Sequence, residues 1–440
     1  MSLEPKLPSP PAVTQASFGN IDVGTAMIIF MVCAGLFQAK SIILALFSIA
    51  ILCAIALTRL PISGPRLRLP TVFLCFYLIY VIANLAIHNS ITDLISPSFL
   101  RYDGKLLATL MIFLAAIFVF DAAPEINTFW SVTVGVVLCS AVFFPVTLLF
   151  GDKKSGLLIG FFTSHNALAG ASGSVVLLIA CTQAHFRRTE PLFWGASIIT
   201  GCLGFYIFLL AGSRAFMLGL AGATAYLVLT SRLSYAKKLC SAAIVMSLLV
   251  TTILASPAAD RMSYDYVSSD NNLLTRISYW QRAISFISDS PLIGMGIGSF
   301  NDSSLQTEQL APGVKTRSTS TKFFGENHAH NIVLHILSEQ GVIGLTLLTS
   351  FWWAIISRHP RNIDRVYTGA LESFDRMSRT VRSMFIYLLA ASMLGNNLLT
   401  MSTAFIFYLV AASFVSSTVR NNRLSKMPLQ ATRRRISSVY

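Results

Sequence analysis

The sequence predicts an all-α polytopic membrane protein with about twelve transmembrane helices and one large outer loop that itself contains helices. Three observations carry this reading. Of the 440 residues, 54% are hydrophobic and only 12% are charged, against about 25% charged in a soluble domain. The apolar residues gather in runs of about 20, the length that crosses a ~30 Å hydrocarbon layer. The Lys and Arg residues between the runs alternate from dense to sparse, as topology demands.

Taken in order, residues 1–21 are polar and Pro/Ser-rich and read as a disordered cytoplasmic tail, with no cleavable signal pattern. Spans are expected at 22–38, 41–58, 70–88, 105–121, 127–150, 164–183, 192–211, 214–230 and 239–256, which makes 22–256 one block of nine. Residues 257–329 form the large loop. Residues 330–356, 380–397 and 400–416 complete the spans, and 417–440 is a basic cytoplasmic tail. With the N-terminus inside, the inner loops and tail hold most of the 33 Lys and Arg. N-in, C-in topology with an even number of spans follows. The net charge of +14 then reflects topology and a tail near anionic lipid, not nucleic acid. All seven cysteines lie in or at the ends of apolar runs, so no disulfide framework is expected.

After nine spans the chain is outside, so 257–329 lies on the outer face of the membrane. Leu273, Ile277, Trp280, Ile284 and Ile287 recur at helical spacing within it. Three stretches could carry chemistry, and all three map to that face. In "LLAGSRAFMLGL" (209–220), Arg214 stands between two apolar runs, where it either snorkels or serves a site. In "LLTRISYWQRAISFISDSPLIGMGIGSF" (273–300), Arg276 and Trp280 lie one turn apart, Arg282 points elsewhere, and glycines follow at alternate positions. In "FFGENHAHNIVLHILSEQGVIG" (323–344), His328, His330 and Asn331 precede an apolar run that contains His335 and Glu339. A straight helix puts Glu339 about 13 Å below His330. No ligand set with metal spacing appears, so no metal and no cofactor is expected.

Arginine suits phosphate through its planar fork, and histidine suits proton removal near neutral pH. Together, beside lipid, they fit a substrate with a lipid tail and a diphosphate head. At these residues the chain resembles the O-antigen ligase and polysaccharide polymerase superfamily. "GSRAF" is similar to its Ser-Arg motif, and "TRISYWQ…PLIGMGIGSF" to its Arg-x3-Trp and glycine-rich stretch. "HAHNIVLHILSEQGVIG" is similar to its His-Asn…Glu-x-Gly signature, and "GFFTSHNALAG" (160–170) to an upstream motif.

The resemblance implies an inverting, metal-independent, GT-C-like membrane glycosyltransferase. Its donor would be an undecaprenyl-diphosphate-linked glycan on the periplasmic face of a bacterial inner membrane. Its acceptor would be lipid A core for a ligase, or a growing polysaccharide for a polymerase of O-antigen or exopolysaccharide. Carried over, Arg214 and Arg276 hold the diphosphate and His330 acts at the acceptor hydroxyl. Arg282, Asn331, Glu339, His328 and Trp280 are supporting substrate-binding candidates. From other classes, a transporter would favour matched halves with interrupted spans and intramembrane carboxylates. No internal repeat is visible, and Glu339 is the one acidic residue well inside a span. A non-catalytic scaffold would tolerate loss of the arginines.

Overall fold

A computed structural model describes residues 69–88, 110–117, 120, 128–154, 157–162, 164–231, 234–254, 271–301, 329–358, 368–394 and 401–424. The expected spans at 22–38 and 41–58, His328, and most of 257–329 lie outside the described residues. The described helices are α1 (Leu69–His88), α2 (Thr128–Phe150), α3 (His165–Thr189), α4 (Pro191–Ala211), α5 (Arg214–Thr230), α6 (Tyr235–Leu254), α7 (Asn271–Asp289), α8 (Ile332–Ile356), α9 (Thr368–Ser392) and α10 (Met401–Leu424). Residues 110–117 are helical too. Five helices, α1, α2, α3 to Gln183, α4 and α8, are long and apolar enough to cross a membrane; α5 and the 406–416 part of α10 are shorter apolar helices.

Three differences from the sequence reading stand out. Between α2 and α3 the chain forms an antiparallel hairpin of β1 (Asp152–Lys154) and β2 (Leu157–Gly160), because "GDKKSGLLIG" reverses direction between glycines. The helix expected from 380 begins twelve residues earlier, at Thr368, and α10 continues past 416 to Leu424. Polar turns extend both helices, and an apolar run does not mark where the hydrogen bonding stops. The third difference is the break in α8.

The core is continuous. Residues 406–412 of α10 are all buried, which makes this helix the centre of the bundle, since a helix apolar on every face must be surrounded. Trp352 of α8 donates to the Tyr408 hydroxyl at 3.0 Å, and Phe113 meets Phe351 edge-on at 5.1 Å. Tyr387 of α9 joins α3 and α5. Its hydroxyl donates to Ala169 O at 2.7 Å, and its ring and backbone fill the space beside Gly173 and Gly219.

α8 breaks at Gly341, whose φ of 64° and ψ of −169° are not helical. The flanking contacts show how far it turns. Arg382 Nε donates to Ile356 O at one end of α8, and Asn331 Nδ2 donates to Met393 O at the other. From residue 382 to 393 α9 rises about 16 Å, whereas an unbroken helix from 331 to 356 would run about 37 Å. The excess is taken up by the turn at Gly341. The segment before it, 332–340, therefore leaves the line of the apolar part, 342–356. This corrects the expectation of a straight span with Glu339 directly below His330.

Candidate functional site

The break in α8 frees backbone groups, and "PLIGMGIG" satisfies them. Val342 N donates to Pro291 O at 2.9 Å and Ile343 N to Leu292 O at 3.2 Å; Met295 N donates to Ser338 O at 2.9 Å and Gly296 N to Glu339 O at 3.1 Å. The Tyr80 hydroxyl donates to Gln340 O. Asn84 grips the same loop from both sides. Its Nδ2 donates to Ile293 O at 2.8 Å, and its Oδ1 accepts from Ile297 N at 3.1 Å. Irregular backbone at membrane depth is tolerated where protein pairs it in this way. Two glycines make the approach possible. A Cβ on Gly294 would lie 2.3 Å from the Glu339 carbonyl carbon, and one on Gly341 would lie 2.2 Å from Leu292 O; both have positive φ. The glycine run and the Glu-x-Gly-x-x-Gly stretch are thus two halves of one joint.

Above the joint, α7 docks against the start of α8. Tyr279, Ala283 and Phe286 form the docking face, with Phe300, Ala329 and Leu334. The expected stripe is turned away by about a quarter of the circumference: Ile284 is 54% exposed. The small Ala283 lets the helices approach, so the contact face is one residue out of register with the apolar stripe. Tyr279 stacks on His330 at 5.9 Å and 17°. Arg276, one turn before Tyr279, lies on the same side of α7 and is half-buried.

Of the other expected residues, Arg282 has its guanidinium carbon 5.1 Å from the Phe286 ring and 5.3 Å from the Phe300 ring, and it donates to Ser299 O at 3.5 Å. Trp280 Nε1 is shielded and has no hydrogen-bond partner among the described residues. Glu339 is 2% exposed. It accepts from Phe300 N at 3.3 Å and faces His335 Nε2 at 3.6 Å. These contacts make Arg282 and Glu339 braces of the 299–301 turn. Asn331 caps α8, accepting from Val333 N at 3.0 Å and Leu334 N at 3.1 Å.

Arg214 begins α5, after Gly212 ends α4 in the left-handed conformation (φ 58°). The preceding Ser213 hydroxyl donates to Asn166 Oδ1 at 2.6 Å. That bond ties "GSRAF" to "SHNALAG", where Ser164 caps α3 by accepting from Ala167 N at 3.2 Å. Distances along the helices then bring the parts to one end of α9. Met393 is about 9 Å along from Tyr387, and Arg214 is about 7 Å along the antiparallel α5 from Gly219, which touches Tyr387. The Arg214 end of α5, the capped starts of α3 and α8, and the His330–Tyr279 stack all surround that end. Three helix N-termini and their positive dipole ends share one face of the bundle. Among the described residues no three His, Cys, Asp or Glu side chains gather within reach of one metal ion.

Sequence reasoning missed Tyr80, Asn84 and Tyr279. The first two left a signal. They are polar, four residues apart on one side of an otherwise apolar span. Tyr279 left none, because its partner, His330, is far away in the chain.

These features define a helical membrane protein with a polar, anion-favouring site where several helices begin. Residues 199–349 match the model of the O-antigen ligase family. The matched stretch contains Arg214, Arg276, His330 and the joint; Asn166, outside it, is bound to it through Ser213. A function of the O-antigen ligase or polymerase type follows in general terms. Among curated proteins nothing matches the chain.

Proposed function

We propose that the protein is an O-antigen ligase that transfers a glycan from undecaprenyl diphosphate to lipid A core on the periplasmic face of the inner membrane. The observation that supports this most is that Arg214 at the start of α5 and the His330–Tyr279 stack lie toward the same end of α9, while Arg276 shares the Tyr279 side of α7. In the reaction the acceptor hydroxyl oxygen bonds to the anomeric carbon as the bond from that carbon to the diphosphate oxygen breaks. Attack from the opposite side inverts the configuration. The hydroxyl proton passes to the His330 imidazole. The electron pair of the broken bond stays on the diphosphate, whose growing charge Arg214 and Arg276 stabilise, aided by the dipole at the start of α5. Trp280 Nε1 offers a further donor to the glycan or the phosphate. Asn331 fixes the backbone that carries His330, while Glu339 and Arg282 hold the loop behind it.

Alanine substitution of Arg214 or Arg276 is expected to lower kcat/KM about 10²–10³-fold, with normal amounts of protein in the membrane. A deletion strain is expected to display bare lipid A core and to accumulate lipid-linked polymer. Core capped by a single repeat unit would instead identify a polymerase. Full activity in either arginine variant would remove the mechanism.

A further inference from the structure

α7 carries more apolar surface than its docking face uses. Tyr279, Ala283 and Phe286 fall on one line of the helix and pack with Phe300, Ala329 and Leu334. Ile277, Trp280, Ile284 and Ile287 fall on a second line, about a quarter turn away. That second line is open: Ile284 is 54% exposed, and Leu292, just past the helix, is 65% exposed. Gln281, Ser285 and Asp289 hold the remaining side and are exposed. The height of α7 follows from its neighbours. Measured along α8 from Ile356, Val342 stands about 21 Å up, inside a ~30 Å hydrocarbon layer. Leu292 is bound at that level, its carbonyl accepting from Ile343 N at 3.2 Å, beside the exposed side chains of Val342 and Ile343. Asn331 binds Met393 O, which stands about 16 Å up α9 from the Arg382 that binds Ile356 O. The two ends of the 332–340 segment thus differ by about 5 Å in height over a length of about 14 Å. That segment lies nearer the membrane plane than the normal. α7 runs antiparallel on it, from the Tyr279–His330 stack to the bond from Met295 N to Ser338 O, and so lies the same way.

The geometry points to α7 as an in-plane helix seated in the leaflet on the site's side of the membrane. Its partner is the lipid surface. Acyl chains meet Ile277, Trp280, Ile284 and Ile287, and water meets Gln281, Ser285 and Asp289. With the docking face turned sideways to α8, a stripe a quarter turn away faces the leaflet. Tryptophan suits that boundary, with an apolar ring and one polar atom. Lipid fits this stripe better than a second protein does, because Leu292 continues it onto the exposed Val342–Ile343 wall of a spanning helix. Arg276 falls between the docking line and the stripe, so it emerges at the level of the lipid headgroups, beside the start of α8. Only the crossing of the membrane by α8 is required, so the seating stands whether or not the donor and acceptor are those proposed above.

The test uses the full-length protein in proteoliposomes whose phospholipid carries tritiated acyl chains. The photoreactive residue p-benzoylphenylalanine is placed singly at Ile284, Ser285 or Asp289, all exposed, and at Ile199, 66% exposed on the spanning helix α4, as the lipid-facing reference. An unfolding temperature equal to that of the unsubstituted protein reports that each variant is folded. On illumination, tritium is expected on the protein at position 284 to the extent seen at 199, and several-fold less at 285 and 289. Label at 199 but at none of the three α7 positions would stand the helix in water and overturn the proposal. Equal label at 284, 285 and 289 would bury α7 on every side and overturn the in-plane seating. A protein–protein adduct at 284 in place of lipid label would assign the stripe to a partner chain, and also overturns it.

Discussion

His330 is the one non-glycine residue at positive φ (51°) among the described residues. For an L-residue that conformation costs about 1–2 kcal/mol, and such strain persists where surrounding structure enforces it. Here the enforcing contacts are the Tyr279 ring on one side and the Asn331 cap on the other. The strain separates two roles by experiment. His330→Gly is expected to be more stable than His330→Ala by about 1 kcal/mol, measured by thermal unfolding in detergent. Both variants are expected to lose glycan transfer. If His330→Gly transferred normally, the imidazole would be structural and the base would have to be sought elsewhere. Arg282 and Glu339 teach the opposite lesson. Each is an ionisable side chain near the site, yet among the described residues they meet Phe286, Phe300, Ser299 and His335 inside the protein.

At the scale of elements, the joint between the glycine loop and the broken α8 fixes the site. Asn84 supplies both halves of a two-way grip on that loop from a neighbouring helix. Asn84→Leu leaves Ile293 O and Ile297 N without these partners. It is expected to cost about 3 kcal/mol, seen as a lower unfolding temperature and less protein in the membrane. Gly341→Ala adds a Cβ where Leu292 O already stands and demands a left-handed alanine. A loss of about 3 kcal/mol or more is expected, enough to deplete folded protein. A well-folded Gly341→Ala variant with full activity would mean that the break is dispensable.

For the whole molecule, Tyr387 binds α9 to α3 and α5, and so sets the spacing of the helix ends around the site. Tyr387→Phe keeps the ring and loses the bond to Ala169 O, at a cost of about 1 kcal/mol; a modest drop in unfolding temperature with folded protein retained is expected. Topology is tested by reporter fusions. A reporter active only in the periplasm is expected to work when joined near residue 310 and to fail after residue 440. The reverse pattern would turn the site to the cytoplasm, away from a lipid A core acceptor.

Composition and hydropathy by themselves determined that the chain is helical and membrane-embedded, because apolar runs of span length have one stable solution in lipid. The ordered motifs around Arg214, Arg276 and His330 likewise pointed to the family whose model matches residues 199–349, because side-chain chemistry is written residue by residue. Tertiary structure alone decided the break at Gly341, the turn of α7 that sets Tyr279 on His330, and the inward use of Glu339 and Arg282. The reason is physical. A backbone carbonyl freed at residue 339 and an amide at residue 296 carry no signature in sequence, and only their meeting in space shows that two glycine-rich motifs close a single joint.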